Sequence, residues 1–211
     1  MTETFGVDEA AHDAARTMIL DAAAEVFHRQ GFNGTTIDDI ARRIGATKGR
    51  IYYYFRSKFD IYLSVYEHGM RLSRESVEPH VDGPGTALDR LTAMSVAHAR
   101  NLMTNLSYHD TIHQGIHRRS ALALKDRQIE QLAELNKIRD DHEMMFRRVV
   151  EQGMIDGSLR AEDPGLVARV LLSSLNAIDS WFRIRPDQPA TEIEVLAARV
   201  VGMHMAGLAA R

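Results

Sequence analysis

Residues 35–58 read TTIDDIARRIGATKGRIYYYFRSK. In the first half, Ile37, Ile40, Ala41 and Ile44 fall at offsets 0, 3, 4 and 7, the spacing that lines one face of an α-helix. Thr36 stands where an N-cap belongs, Asp39 follows three residues later, and Gly45 closes the segment. Thr47 restarts the chain as a second N-cap, and Ile51 and Phe55 lie one turn apart on one face. Two amphipathic helices of about two turns each, joined by Gly45-Ala46, form a helix-turn-helix pattern.

Working outward, Met18, Ile19, Ala22, Ala23, Val26 and Phe27 recur at helical spacing and stop at Gln30-Gly31-Phe32-Asn33-Gly34, which supplies a backing helix. Downstream the pattern changes to longer helices: 57–78 ended by Pro79, then 86–105, 108–119, 122–152, 164–184 and 190–209. The 122–152 stretch contains neither glycine nor proline and would run about 45 Å unbroken. No alternating β-branched run bounded by turn residues occurs, so the expected class is all-α. The expected organisation is a flexible arm over 1–13, a three-helix head carrying the helix-turn-helix over 14–62, and a helical bundle over 63–211.

Composition narrows the classes. The 211 residues are 45% hydrophobic and 26% charged, an ordinary globular balance. The absence of cysteine excludes a disulfide framework, a thiolate metal site and a cysteine nucleophile. No uncharged apolar run approaches the ~18–20 residues of a membrane span, and the acidic opening is unlike a secretory signal. A soluble cytoplasmic protein with no membrane partner is expected.

The net charge of −3 conceals a segregated distribution. Residues 1–41 hold eight acids against Arg16 and Arg29, whereas 42–58 hold Arg42, Arg43, Lys48, Arg50, Arg56 and Lys58 and no acid. If Ile51 and Phe55 face inward, Gly49 and Tyr53 face outward, flanked by Arg50 and Tyr52. Such a face suits duplex DNA: cations displace condensed counterions, the Arg50 fork matches guanine O6 and N7, and bare Gly49 permits close approach. Thr36, Thr47 and the tyrosine hydroxyls are suitable phosphate donors. Charge alone does not decide the matter, because a short basic helix can also be a solvated face.

The order of residues goes further. Over about residues 14–62 the chain resembles the helix-turn-helix signature of TetR-family transcriptional regulators, through Gly45, Thr47, Lys48, Gly49, Tyr52, Phe55 and Lys58. The resemblance implies backbone contacts from Thr36, Thr47, Tyr52, Tyr53 and Lys58, with Lys48, Gly49, Arg50 and Tyr54 near base edges. Ala46 departs from the serine often found there. Phe27, Ile40, Ile44, Ile51 and Phe55 are expected in the core. A repressor of this kind would bind a palindromic double-stranded operator as a homodimer and be released by a small effector that alters the separation or tilt of its two heads.

After about residue 65 the resemblance weakens. Apolar stripes at Val167, Val170, Leu171, Leu175, Ile178 and Trp181, and at Ile193, Leu196, Ala197, Val200, His204 and Leu208, suit a four-helix dimer interface, with a monomer core as the lesser alternative. The segments EQGMIDGSLRAEDP (151–164) and LNAIDSWFRIRP (175–186) are similar to TetR-like regulators of fatty-acid and steroid degradation, many of which sense acyl-CoA thioesters. On that likeness the expected ligand-binding residues are Met103, Ile112, His113, Ile116, Met145, Phe146, Asn176 and Trp181, with Arg147, Arg148, Arg183 and Arg185 available to phosphates. A regulator of an efflux pump answering a hydrophobic drug-like ligand is the alternative.

His109, His113 and His117 share a helical face at i, i+4 and i+8, yet no acid on that face completes a site, so no metal and no cofactor is expected. An enzyme acting on acyl thioesters is disfavoured: the chain has no Gly-x-Ser-x-Gly elbow, no phosphate-binding glycine loop and no evident carboxylate pair. A plain helical adaptor would leave the Thr47–Lys58 chemistry unexplained.

Overall fold

The computed structural model describes residues 3–114 and 126–210, with the side chains of 3–9 and 114 left aside. The helices are α1 (Glu3–Gly34), α2 (Ile37–Arg43), α3 (Lys48–Tyr54), α4 (Lys58–Val81), α5 (Ala87–Thr104), α6 (Leu106–Gln114), α7 (Asp126–Asp156), α8 (Pro164–Asn176), α9 (Ile178–Trp181) and α10 (Ala190–Leu208). Among the described residues there is no strand, only an isolated bridge between Leu159 and Ala209. The chain divides into two compact units: Met1–Gly69 with Ser107–Leu135, and Met70–Leu106 with Asn136–Arg211. This differs from the expected division at residue 62, because the segment beginning at Ser107 belongs with the first unit.

In the first unit, α2 starts in a capping box: the Thr36 side chain accepts from Asp39 N–H, and the Asp39 carboxylate accepts from Thr36 N–H. That carboxylate is held below its ordinary range by the Thr36 side-chain and backbone hydrogen bonds. Gly45, at φ 63, makes the turn that an L side chain resists. Ile19, Ala23, Phe27, Ile40, Ile51 and Phe55 are buried, and Phe27, Phe32, Phe59 and Tyr62 form an aromatic cluster beneath them. Helix α6 is fastened to α1 by two polar contacts, Tyr108 O–H to Asp21 Oδ1 at 2.8 Å and His28 Nδ1 to Asp110 Oδ2 at 2.6 Å. It also presses on α4, where a Cβ on Gly69 would lie 2.8 Å from Ile112 Cδ1.

In the second unit, α5 packs against α8, α9 and α10 around a core that includes Leu91, Met94, Leu102, Met103, Phe146, Leu175 and Val201. The start of α5 is capped from a distance: Asp156 Oδ2 accepts from Ala87 N–H at 2.9 Å, and Ser158 Oγ from Leu88 N–H at 3.2 Å.

Several boundaries differ from the periodicity. Helix α1 begins at Glu3, so the expected arm over 1–13 is helical from that residue on. Helix α4 passes through Pro79 and ends at Val81. Helix α7 continues past Gly153, whose absent side chain leaves room for Leu159: a Cβ there would lie 2.4 Å from Leu159 Cδ1. The expected 164–184 helix is two elements, meeting at Ala177 and ending at Trp181.

Candidate nucleic-acid interface

Helix α3 is oriented by its two apolar residues. Ile51 and Phe55 are buried, whereas Tyr52 and Tyr53 are 48% and 75% exposed. Thr47, Lys48, Gly49 and Arg50 are all exposed. Thr47 caps the helix by accepting from Arg50 N–H at 3.3 Å, and a Cβ on Gly49 would meet nothing closer than Thr47 Oγ1 at 3.9 Å. Of the side chains expected to read DNA, Thr47, Lys48, Gly49, Arg50, Tyr52 and Tyr53 are therefore open to solvent.

The cations of the window are unevenly committed. Arg42 pairs with Asp39 at 2.9 Å, Arg43 with Glu25 at 2.6 Å and Lys48 with Asp38 at 3.1 Å. The hydrogen bond and charge of Asp38 raise the Lys48 ammonium above its usual range. Among the described residues Arg50 and Arg56 have no ion pair, and both are exposed, so they are the cations most available to an incoming polyanion.

Lys58, expected on the phosphate backbone, donates to the Phe32 and Thr35 carbonyl oxygens at 2.6 and 2.7 Å and lies 4.5 Å from the Phe32 ring centre. Burial depresses its pKa. It caps the end of α1. The Thr36 hydroxyl likewise donates to Asp39 Oδ2, at 2.6 Å. Tyr54, expected near base edges, is half-buried with its ring 4.9 Å from that of His12. His12 also meets Tyr53 edge-on, and Arg16 stacks over Phe55 while donating to Ser64 Oγ. Neither His12 nor Arg16 was singled out by the sequence, where nothing local couples α1 to α3.

The expected ligand-binding residues fall in both units. Met103 and Phe146 are buried in the core of the second unit, Met145 is half-buried against it, and Asn176 Oδ1 meets His98 Nε2 at 2.9 Å. Trp181 is 53% exposed and touches Phe182 edge-on, as expected of a residue at the last turn of the short α9. Ile112 is buried in the first unit, His113 is exposed there, and Ile116, like His117, lies outside the described residues. The arginines expected at the effector's phosphates have protein partners: Arg147 pairs with Glu151, Arg148 with Asp82 and Arg185 with Glu192, and Arg183 donates to the carbonyls of Asp179 and Phe182. Among the described residues no cluster of three or more His, Asp or Glu is placed to hold a metal ion, and no helix is long and apolar enough to cross a membrane.

With this geometry in hand, comparison with known families is decisive. Residues 19–65 match the model described as bacterial regulatory proteins, tetR family, and residues 84–208 match the tetracyclin repressor-like C-terminal domain. The chain belongs to the TetR family. This TetR-family protein is a helix-turn-helix, DNA-binding transcriptional regulator. It is 26% identical over 214 residues to the HTH-type transcriptional repressor KstR2 of Rhodococcus jostii RHA1, covering 99% of this chain and 98% of that one. It is 24% identical over 193 residues to the fatty acid metabolism regulator protein of Bacillus subtilis 168, covering 88% and 94%. Among solved structures, AibR in complex with isovaleryl coenzyme A and operator DNA shares the fold with a TM-score of 0.70 at 23% identity, covering 90% of this chain and 97% of AibR.

Proposed function

We propose that this TetR-family regulator is a ligand-responsive repressor that binds a palindromic operator as a homodimer and is released by a small hydrophobic effector, of which an acyl-CoA thioester is the favoured class. The observation that carries the reading is the sidedness of α3: Ile51 and Phe55 anchor the helix while Gly49, Arg50 and Tyr53 face outward. In this reading Arg50 contacts base edges in the major groove with Lys48 and Gly49 beside it, and Thr36, Thr47, Tyr52, Tyr53 and Tyr54 border the backbone. Arg56 joins them as a free cation, and Lys58 positions the head from below.

A homodimer through α8 and α10 is supported by an apolar face that the chain leaves open. Leu166, Val170, Val195 and Met203 are each more than half exposed, and a groove of about 350 Å³ runs between Leu166, Val170, His204 and Leu208. Val167, Leu171, Ile193 and Ala197, expected on the same stripes, are buried within the chain, so they serve the core and their outer neighbours would serve the interface.

The effector class is supported by the relatives: AibR was crystallised with isovaleryl coenzyme A, and the Bacillus relative is named for fatty acid metabolism. Effector and operator affinities must be linked reciprocally: a ligand that favours the DNA-incompetent state weakens operator binding by the factor by which DNA weakens ligand binding. The test is retention of the DNA upstream of the protein's own gene, measured across a salt series and then with added acyl-CoA esters. Saturable, sequence-specific retention that the ester abolishes is expected. Retention indifferent to DNA sequence would overturn the repressor reading, and retention indifferent to every ester would overturn the effector class.

A further inference from the structure

Within the second unit, polar side chains interrupt an apolar core. His142 on α7 is buried, and neither of its ring nitrogens has a hydrogen-bond partner. Ser95 on α5 is buried with its hydroxyl oxygen also unpaired, one helical turn before His98. The His98 ring centre lies 5.3 Å from that of His142, Phe146 packs 5.5 Å from His142, and Asn176 holds His98 by its Nε2. Buried polar atoms are nearly always satisfied, so unpaired ones inside a regulator's sensing unit point to an occupant that arrives later.

The chemistry of that occupant follows from the charge state. Burial, then the proximity of His98 and Arg74, pushes the His142 pKa down to about 3, so the ring is neutral at physiological pH. A neutral imidazole presents one N–H and one lone pair, and a serine hydroxyl presents a second donor. A carboxylate here would lose its hydration, and the nearby Arg74 is already paired with Glu78 at 3.2 Å, whereas a carbonyl oxygen loses little and can accept from a buried donor. A plain hydrocarbon would leave the donors unpaired.

We propose that Ser95 and His142 form the polar end of the effector site and take an uncharged carbonyl oxygen carried on an apolar chain. The inference rests on the effector-responsive reading above and assigns its ligand a recognition group. That oxygen can belong to a ketone or to the thioester of an acyl-CoA. His142 is kept at a cost to the empty protein, as functional polar groups in cores commonly are.

The experiment uses the full chain and ligands matched in length: octane, methyl hexyl ketone, octanoate and octanoyl-CoA, each followed by calorimetric titration and thermal shift. The ketone, the thioester or both should bind roughly tenfold or more tightly than octane and octanoate. Preference for both shows that the carbonyl suffices, and preference for the thioester alone shows that the coenzyme is needed as well. His142→Leu should abolish the preference while raising the melting temperature of the ligand-free protein by roughly 2–4 °C, because an unpaired polar group leaves the core. His142→Gln, which keeps a donor, should retain part of the preference. Equal binding of all four ligands, or a preference that survives in His142→Leu, would overturn the proposal. Retention of operator DNA by the same samples separates the two claims: specific DNA binding without a head-group preference sinks this inference alone, and loss of specific DNA binding in the wild type sinks the repressor reading.

Discussion

Replacing Lys58 by methionine distinguishes a structural cation from a DNA-contacting one. The substitution keeps most of the side-chain volume and removes two hydrogen bonds, to Phe32 O at 2.6 Å and Thr35 O at 2.7 Å, together with the ammonium lying over the Phe32 ring. A hydrogen bond to a charged group contributes roughly 1.5–3 kcal/mol and a cation–π contact about 0.5–1 kcal/mol at exposed sites. The site is only half-buried, so water recovers part of the loss, and a net destabilisation of about 2–3 kcal/mol is expected. Urea unfolding followed by circular dichroism reads this as a lower midpoint at unchanged slope. The companion assay is operator affinity across a salt series under conditions where the variant is folded. A phosphate contact contributes about 0.9 to the slope of log K against log salt, and here the slope should stay at the wild-type value. Unchanged stability together with a slope reduced by about 0.9 would refute the reasoning and return Lys58 to the DNA.

Arg56→Ala should weaken binding to all DNA sequences alike and reduce the salt slope by about 1, whereas Arg50→Ala should cost about 1–3 kcal/mol on the operator and relax its specificity, both read by fluorescence anisotropy. Gly153→Ala should destabilise the second unit by about 1–3 kcal/mol in thermal melts, because the new Cβ would meet Leu159 at 2.4 Å, and adding Leu159→Ala should recover part of that loss. His142 sets a pH dependence of defined sign: its folded pKa of about 3 lies below the ordinary 6.5, so the unfolded chain binds more protons between those values. Its titration leaves stability unchanged above about pH 6.5 and lowers it as the pH falls toward 3, and His142→Leu should flatten the stability profile across that window. Met203→Asp, on the open face of α10, should convert a dimer into monomer in sedimentation velocity, and an unchanged sedimentation coefficient would remove that face from the interface.

Local signals carried much of the architecture. The all-α class, the helix-turn-helix pair and the inward set of α3 were legible because apolar spacing, the N-cap threonines at 36 and 47 and Gly45 act within a few residues of one another. Boundaries failed where a distant contact overruled a local breaker. The interior Gly153 is tolerated because Leu159 folds back into the space a side chain would take.

The sequence by itself determined which residues α3 turns outward, since helical periodicity places Gly49 and Tyr53 opposite Ile51 and Phe55 without reference to the rest of the chain. Tertiary structure alone decided which cations of the basic window are engaged within the protein. Glu25 claims Arg43 from another helix, and the end of α1 claims Lys58, 23 and 26 residues away in sequence. It also decided that His142 is sealed in a core and that α6 belongs with α1, through Asp21 and His28. Side-chain pairing and desolvation depend on neighbours that only folding supplies, and periodicity in one dimension carries no record of them.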